Sequence, residues 1–250
     1  MSRQHPLLRL VACSVVAVAF LSGCFSTVVA SPAAADDIRS AVSPSIDAFV
    51  AQRMEARGTP GVSVAVVRAG RTIHLAGYGR ADSSGRSVTP DTKFLLGSVS
   101  KPFTAAALSQ LVADGRLSLD EPVEPYVEAV VGHELPDFDG ITVGQLLDHT
   151  SGLPNALGLP GSVPVRPGAD ALRWRIADLA VAHRRDRPPG HDYEYSNANY
   201  ILLASVIEQV SGVPFDEYVY GRLFEPLGMT SSFASDADGR TEGLATGHES

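Results

Sequence analysis

A single β-hairpin pattern, followed by helical patterns only, limits the folds that this sequence can adopt. Two β-rich runs, Val62–Val67 and Thr72–Tyr78, flank Ala69-Gly70, as expected for two strands joined by a tight turn. A two-stranded hairpin is marginally stable by itself in water, so this one needs a covering layer. The sequence therefore predicts a small sheet packed against a helix.

The covering helix is predicted immediately before the hairpin. It is expected to start at Ser43-Pro44 and to stop at Gly58. Its apolar side chains recur at the spacing of one helix face: Ile46, Phe49, Val50 and Met54. We expect this apolar face to pack on the hairpin.

Helical patterns dominate the rest of the chain, and the middle is predicted to be rich in α-helix. The predicted helices are Phe103–Ala113, a short helix with a Thr142/Gln145 capping box, Ala171–His183, Asn199–Val210 and Phe215–Leu223. Pro- and Gly-rich stretches at Leu153–Gly168 and Pro188–Gly190 predict long surface loops. Loops of this kind often shape a cleft.

Residues 1–23 are typical of a lipoprotein signal peptide. Arg3 and Arg9 form a positive n-region, and Leu10–Phe20 is an apolar run too short to span a bilayer comfortably. The run leads into Leu21-Ser22-Gly23-Cys24, which resembles the lipobox of bacterial lipoproteins, where the cysteine is lipidated and becomes the first mature residue. We therefore expect export, with a lipid anchor at Cys24 in the cell membrane on its extracytoplasmic side.

Residues 24–43 are small and rich in Ala, Ser and Pro, which is typical of a flexible tether. This tether is predicted to join the anchor to a folded domain at residues 44–250. Plain secretion is the alternative to lipidation, because Ala30 and Ala35 could each precede an ordinary signal-peptidase cut. Export is expected in either case.

Composition sets the size of the core and argues against one class of partner. The 250 residues, 44% of them hydrophobic, suffice for one large domain or two small ones. The formal net charge is −8, and Lys93 and Lys101 are the only lysines, whereas nucleic-acid binding needs clustered Lys and Arg. Cys13, in the predicted signal peptide, and Cys24 are the only cysteines, so no disulfide is expected in the mature domain. The oligomeric state stays open.

Ser98 and Lys101 form the first candidate catalytic pair. They are three residues apart at the predicted start of a helix, so they share one face and the ammonium can reach the hydroxyl. Pro102 supports this placement because proline is tolerated in the first turn of a helix and disfavoured in its interior. At a helix N-terminus, free backbone N–H groups and the helix dipole favour the developing negative charge of an oxyanion.

A serine hydroxyl is a poor nucleophile unless a base removes its proton. Lysine, with a reference pKa of ~10.4, is a base at neutral pH only where its surroundings favour the neutral form. Tyr195 is the second candidate base, because the Lys101 cation would stabilise its phenolate. The two groups are expected to titrate as a unit, and the sequence does not assign the proton to either one.

Each of these motifs also has an ordinary structural explanation. A Ser-x-x-Lys pattern can mark the start of a surface helix, and Tyr195 can be a core aromatic residue. Asn197 or Asn199 can be a helix N-cap. His149 is expected to hold a loop and not to act as a base, since Lys101 and Tyr195 already fill that role.

Four segments, taken in order along the chain, favour the catalytic explanation of these motifs over the structural one. They are Phe94–Phe103, which contains Ser98-Val99-Ser100-Lys101; Leu146–Pro154; Pro189–Asn197, which contains Tyr195-Ser196-Asn197; and Leu223–Met229. From about Ser45 onward the chain resembles the serine β-lactamase-like family, which includes class C β-lactamases, D-alanyl-D-alanine carboxypeptidases and carboxylesterases. Four coordinated segments make this resemblance specific.

The resemblance implies a role for each candidate residue. Ser98 would be the acylated nucleophile, Lys101 its base or base-tuning partner, Tyr195 the proton shuttle, and Asn197 the contact to the substrate amide. It implies a fold of the α/β plus all-α class, in which a five-stranded antiparallel sheet with flanking helices lies beside a helical part. The active site would lie in the cleft between them.

The resemblance also implies the substrates: peptidoglycan stem peptides, β-lactams or simple esters, hydrolysed through an acyl-Ser98 intermediate. No cofactor or metal is expected. The family's third active-site box, a Lys- or His-headed triplet ending in Gly on a strand, has no candidate, because Ala245-Thr246-Gly247 lacks a cationic head. We therefore expect a longer intact protein, with this chain ending before the last strands. The alternative function is a non-catalytic lipoprotein that binds cell-wall peptides or a partner protein.

Overall fold

The computed structural model describes residues 32–132, 138–155, 187–234 and 242–246, with side chains from residue 42 onward. The predicted signal peptide, Cys24 and the predicted helix Ala171–His183 lie outside the described residues. Within the described ranges, no helix combines the length and the apolar character needed to cross a membrane.

The first helix, α1 (Pro32–Arg57), starts earlier than the predicted Ser43-Pro44 boundary. Residues 33–35 are all alanine, the residue type with the highest helix propensity. Proline is favoured at the first position of a helix, where Pro32 stands. Pro44 therefore lies inside the helix. Residues 32–43, part of the stretch predicted to be a tether, are helical here.

The predicted hairpin is confirmed. Strands β1 (Gly61–Arg68) and β2 (Arg71–Gly79) pair antiparallel. Ala69 and Gly70 have φ values of 49° and 73°, and a type I′ turn requires positive φ at both of its central residues. Within the described residues this is a sheet of two strands, smaller than the five that the family resemblance implies.

The predicted apolar face of α1 is only partly correct. Val50 is buried, whereas Phe49 is 57% exposed, with the Arg53 guanidinium 5.3 Å from its ring centroid. Polar contacts from α1 to β2 supplement the apolar packing. The Tyr78 hydroxyl donates to Asp47 Oδ1 at 2.6 Å, and buried His74 contacts both Tyr78 and the α1 residue Ser43.

The remaining elements are helical and follow the predicted order. They are a 3₁₀ helix (Gly97–Ser100), α2 (Lys101–Ala113), α3 (Glu124–Val131), α4 (Val143–Leu147), α5 (Asn197–Ser211) and α6 (Phe215–Val219), which continues as a π-helical turn (Tyr220–Phe224). The predicted capping box of α4 is present in full: Thr142 Oγ1 accepts from the Gln145 N–H, and Gln145 Oε1 accepts from the Thr142 N–H. Helix α3 was not predicted.

Helix α5 is the centre of the helical part. It is buried nearly all round, which is the property of a helix that is packed on several sides. Helices α2, α3, α4 and α6 all contact it. The core between them contains Leu108, Leu111, Val127, Leu146, Leu202, Leu203, Val206 and Ile207. This packing holds the N-terminal ends of α2 and α5 together.

Candidate active site

The junction between the 3₁₀ helix and α2 positions Ser98 and Lys101. Ser98 lies in the first turn, where the backbone N–H groups have no partner within a helix. Lys101 starts α2, and Pro102 lies in its first turn as predicted. Lys101 Nζ donates to Ser98 Oγ at 3.2 Å, so the pair that the spacing predicted is formed.

The start of α5 supplies the other two predicted residues. Tyr195 precedes the helix and Asn197 is its first residue, with Ser196 in an extended conformation between them. The Tyr195 hydroxyl lies 2.6 Å from Ser98 Oγ, and Lys101 Nζ donates to Asn197 Oδ1 at 2.7 Å. The structure therefore brings all four predicted side chains into one hydrogen-bonded cluster.

The Lys101 ammonium sets the electrostatics of this cluster. It lies 4.9 Å from the ring centroid of Tyr195 and 5.4 Å from that of Tyr200. The hydrogen bond to Lys101 lowers the pKa of the Tyr195 phenol below its ordinary value, and the hydrogen bond to Ser98 is the second cause. Burial acts in the opposite direction. The phenolate of Tyr195 is thus more accessible than that of a free tyrosine.

His149 holds the loop before α5, as the sequence predicted. Its Nδ1 accepts from the backbone N–H of Ser196 at 3.2 Å and lies 3.3 Å from Asn199 Nδ2. Asn199 is buried, and its Oδ1 accepts from the Ser151 hydroxyl at 2.7 Å. The segment after α4 therefore braces the segment that carries Tyr195.

Two residues that the sequence analysis did not identify, Asn155 and Tyr200, also contact the cluster. Asn155 Oδ1 accepts from the backbone N–H and from Nδ2 of Asn197, both at 3.2 Å, so it orients the Asn197 amide. Tyr200 lies one helical turn after Asn197, a spacing that places two side chains on the same helix face. That spacing is a signal for Tyr200, whereas for Asn155 the only signal is its position directly after the segment Leu146–Pro154.

The chain is similar to a known protein family and to known relatives. A family model described as Beta-lactamase matches residues 46–250. The unguisins hydrolase ungD' of Aspergillus campestris is 34% identical over 208 residues, which cover 80% of this chain and 38% of that protein. Overall, the chain spans about two fifths of the length of the curated relatives it matches.

Solved structures give the same result. A class C beta-lactamase is 30% identical with a TM-score of 0.68, and the match covers 84% of this chain and 55% of that one. The D-amino acid amidase from Ochrobactrum anthropi SV3, solved with L-phenylalanine amide, is 33% identical with a TM-score of 0.61, covering 77% of this chain and 52% of that one. The hairpin under α1 and the helices around α5 are therefore part of a β-lactamase/transpeptidase-like fold, and the chain belongs to the Beta-lactamase family of serine hydrolases.

Proposed function

We propose that this protein is an exported serine acyl hydrolase that cleaves an amide, β-lactam or ester bond through an acyl-Ser98 intermediate. One observation carries the proposal: Ser98 Oγ lies 2.6 Å from the Tyr195 hydroxyl and 3.2 Å from Lys101 Nζ. A nucleophile within hydrogen-bond reach of its base is the arrangement that covalent acyl transfer needs. A lone helix-start serine would have no such partners.

The acylation step follows from this geometry. The Tyr195 phenolate takes the Ser98 proton while Oγ attacks the carbonyl carbon, and the carbonyl π electrons move to the oxygen. When the tetrahedral intermediate collapses, the carbonyl re-forms and the bond to the leaving group breaks. The departing amine or alcohol takes the proton from Tyr195.

Deacylation uses the same groups in the same roles. Tyr195 takes a proton from water as the water oxygen attacks the acyl carbon. The ester bond to Ser98 then breaks, and Ser98 Oγ recovers the proton from Tyr195. Throughout, the Lys101 ammonium stabilises the negative charge on the phenolate.

Asn197 is proposed to bind the acyl side of the substrate. Its Oδ1 accepts from Lys101 Nζ and from the Tyr195 hydroxyl, so its Nδ2 is the group able to donate to a substrate carbonyl. At present Nδ2 donates to Asn155 Oδ1. A substrate carbonyl would share or replace that bond.

The substrate class rests on the relatives. They include a class C beta-lactamase, a D-amino acid amidase and an unguisins hydrolase. A beta-lactamase and an amidase both act on a carbonyl–nitrogen bond, which supports a β-lactam, or an amide such as a peptidoglycan stem peptide, as the substrate of this chain. The family resemblance adds an ester.

Export is supported by the sequence of residues 1–23, and a lipid anchor by Cys24. If Cys24 is lipidated, the mature protein should begin at Cys24 and carry the added mass of a lipid on that residue. An exported mature protein that begins elsewhere, or whose Cys24 carries no lipid, would contradict the anchor.

The catalytic proposal is tested by covalent labelling of the full-length protein with a fluorescent fluorophosphonate and a fluorescent penicillin. Ser98→Ala should abolish labelling. Ser100→Ala is the matched control, because Ser100 lies two residues away and its hydroxyl donates to the Gly97 carbonyl, outside the cluster. Labelling of Ser98→Ala at the wild-type rate would contradict the proposal, and a folded wild-type protein that neither probe labels would favour the non-catalytic binding function.

A further inference from the structure

His149 occupies a backbone position that normally belongs to glycine. It directly follows the C-cap of α4 and has a φ of 63°. The His149 N–H bonds to the Leu146 carbonyl at 3.4 Å and the Thr150 N–H to the Gln145 carbonyl at 2.9 Å, which is the pattern of a Schellman motif. Glycine is favoured at this position because a Cβ is strained there. The strain of a Cβ at this position directs attention to what the histidine side chain contacts.

The imidazole of His149 is 8% exposed and lies among three tyrosines. Its ring centroid is 4.7 Å from that of Tyr195, 5.2 Å from that of Tyr200 and 5.8 Å from that of Tyr193. This packing brings the ring against the proposed base itself.

The hydrogen bonds around Nδ1 determine its protonation. The backbone N–H of Ser196 points at this nitrogen, and a backbone N–H can only donate. Asn199 Nδ2 lies 3.3 Å from the same nitrogen, while Asn199 Oδ1 accepts from the Ser151 hydroxyl. Nδ1 must therefore be unprotonated, and a neutral ring carries its proton on Nε2.

His149 contacts both chain neighbours of Tyr195. Its carbonyl accepts from the Glu194 N–H at 2.8 Å, and its Nδ1 accepts from the Ser196 N–H at 3.2 Å. The residue between these two anchors is Tyr195. The position of the Tyr195 hydroxyl beside Ser98 thus depends on His149, which lies in a different segment of the chain.

We propose that His149 is the positioning residue of the active site: its neutral, Nε2-protonated imidazole holds Tyr195 against Ser98, and protonation of Nδ1 releases it. The kinetic part of this inference rests on the proposed acyl-hydrolase function. A proton on Nδ1 would face two N–H donors, so both bonds would be lost together.

The surrounding charges favour the neutral ring. Burial lowers the pKa of His149, the Lys101 ammonium lowers it further, and the Asp148 carboxylate opposes both. The ionisable groups packed directly on the ring are the phenols of Tyr193, Tyr195 and Tyr200. The positioning contact is accordingly intact at neutral pH and is lost on acidification.

Two variants separate the side chain from the backbone turn. Asn and Gly both accept a left-handed backbone, so His149→Asn and His149→Gly each preserve the Schellman motif. The Asn amide oxygen takes the place of Nδ1 as an acceptor that does not titrate, whereas Gly removes the acceptor. We expect His149→Asn to retain the fluorophosphonate acylation rate within about tenfold and His149→Gly to lose on the order of 100-fold, because a misplacement of ~1 Å costs about that much.

Two readouts test the protonation state in the full-length protein. Nitrogen-15 NMR of labelled histidines, assigned by the peak missing in His149→Asn, should show the Nε2–H tautomer and give the pH at which His149 titrates. The ratio of the His149→Asn rate to the wild-type rate should rise below that pH. Any requirement for ionised Tyr195 is common to both proteins and cancels in this ratio.

The outcomes distinguish this inference from the proposed function. A folded wild-type protein that does not react would overturn the proposed function, while the NMR tautomer still tests the geometry of His149. An Nδ1–H tautomer would overturn the inference. So would a His149→Gly variant as fast as wild type, or a rate ratio that stays flat through the His149 titration.

Discussion

The four side chains of the proposed active site form a short hydrogen-bond network. Lys101 Nζ donates to Ser98 Oγ and to Asn197 Oδ1, so the ammonium has two fixed acceptors. Tyr195 lies closer to Ser98 Oγ than Lys101 does, at 2.6 Å against 3.2 Å. As a phenol, Tyr195 can donate to Asn197 Oδ1; as a phenolate, it accepts from Ser98. The sequence left two candidates for the base, Lys101 and Tyr195. The shorter distance to Ser98 Oγ favours Tyr195.

If Tyr195 is the base, acylation should accelerate as its phenol ionises. The pKa of Tyr195 is lowered, so the rate of fluorophosphonate labelling should rise with pH at values below the ordinary tyrosine pKa of about 10. Tyr195→Phe should lose this rise and react about 10²–10⁴-fold more slowly. Tyr193→Phe is the control, since Tyr193 is 67% exposed and outside the hydrogen-bonded cluster. A pH profile of Tyr195→Phe parallel to that of wild type would assign the base to another group.

At the level of secondary structure, the short helix α4 is the element on which the site most depends. It has five residues, so its two ends determine its stability. Its N-terminus is closed by the reciprocal Thr142–Gln145 bonds, and its C-terminus leads directly to His149. Its packing against α5 completes the connection to the site.

Thr142→Ala should destabilise the protein because it removes the side-chain acceptor for the Gln145 N–H. Loss of an N-cap costs about 1 kcal/mol in the free energy of unfolding, which is a decrease of about 2–4 °C in Tm for a chain of this size. Thermal unfolding followed by circular dichroism measures it. Thr142→Ser keeps the hydroxyl and should stay near wild type; a Ser variant as unstable as the Ala variant would show that the cap is not the cause.

On the scale of the whole molecule, the α1–hairpin part and the helical part each contain a tyrosine bonded to a carboxylate. The Tyr78 hydroxyl donates to Asp47 in the first part, and the Tyr126 hydroxyl donates to Glu121 in the second. Burial, followed by the hydrogen bond to the carboxylate, raises the pKa of each phenol to about 12. Both parts therefore favour the protonated phenol.

This shared feature predicts alkaline destabilisation. Because each phenol has a higher pKa in the folded state than the value of about 10 in an unfolded chain, its stabilising effect is complete below pH 10. The effect is lost as the pH rises from 10 to 12. Urea unfolding should show the free energy of unfolding falling across this range, and Tyr78→Phe/Tyr126→Phe should flatten the fall. Tyr193→Phe should leave it unchanged, and an equally steep fall in the double variant would contradict the assignment.

Two expectations that rest on a few neighbouring residues were confirmed. The turn at Ala69-Gly70 and the capping box of Thr142 each depend on at most four consecutive residues. Helix α3 was not predicted, although Pro125 and Glu124 stand in its first turn. Helix α1 starts earlier than predicted because Ala33–Ala35, which fit the composition of a tether, also favour a helix.

Phe49 and Asn155 show the limits of local patterns. Phe49 fits the apolar spacing of α1 and is nevertheless exposed, because the hairpin covers only part of that face. Asn155 has no pattern of its own, and its role follows from lying beside Asn197.

The residue types of the proposed site, and the pairing of Ser98 with Lys101, could be read from the sequence because helical spacing places them on one face. The approach of Tyr195 to Ser98, the bracing of Tyr195 by His149 and the orientation of Asn197 were decided only by the packing of α2 and α4 on α5. These contacts join residues that are 42 to 97 positions apart in sequence. The distances between these side chains depend on how closely the apolar core packs between the helices. A local sequence pattern does not determine that packing.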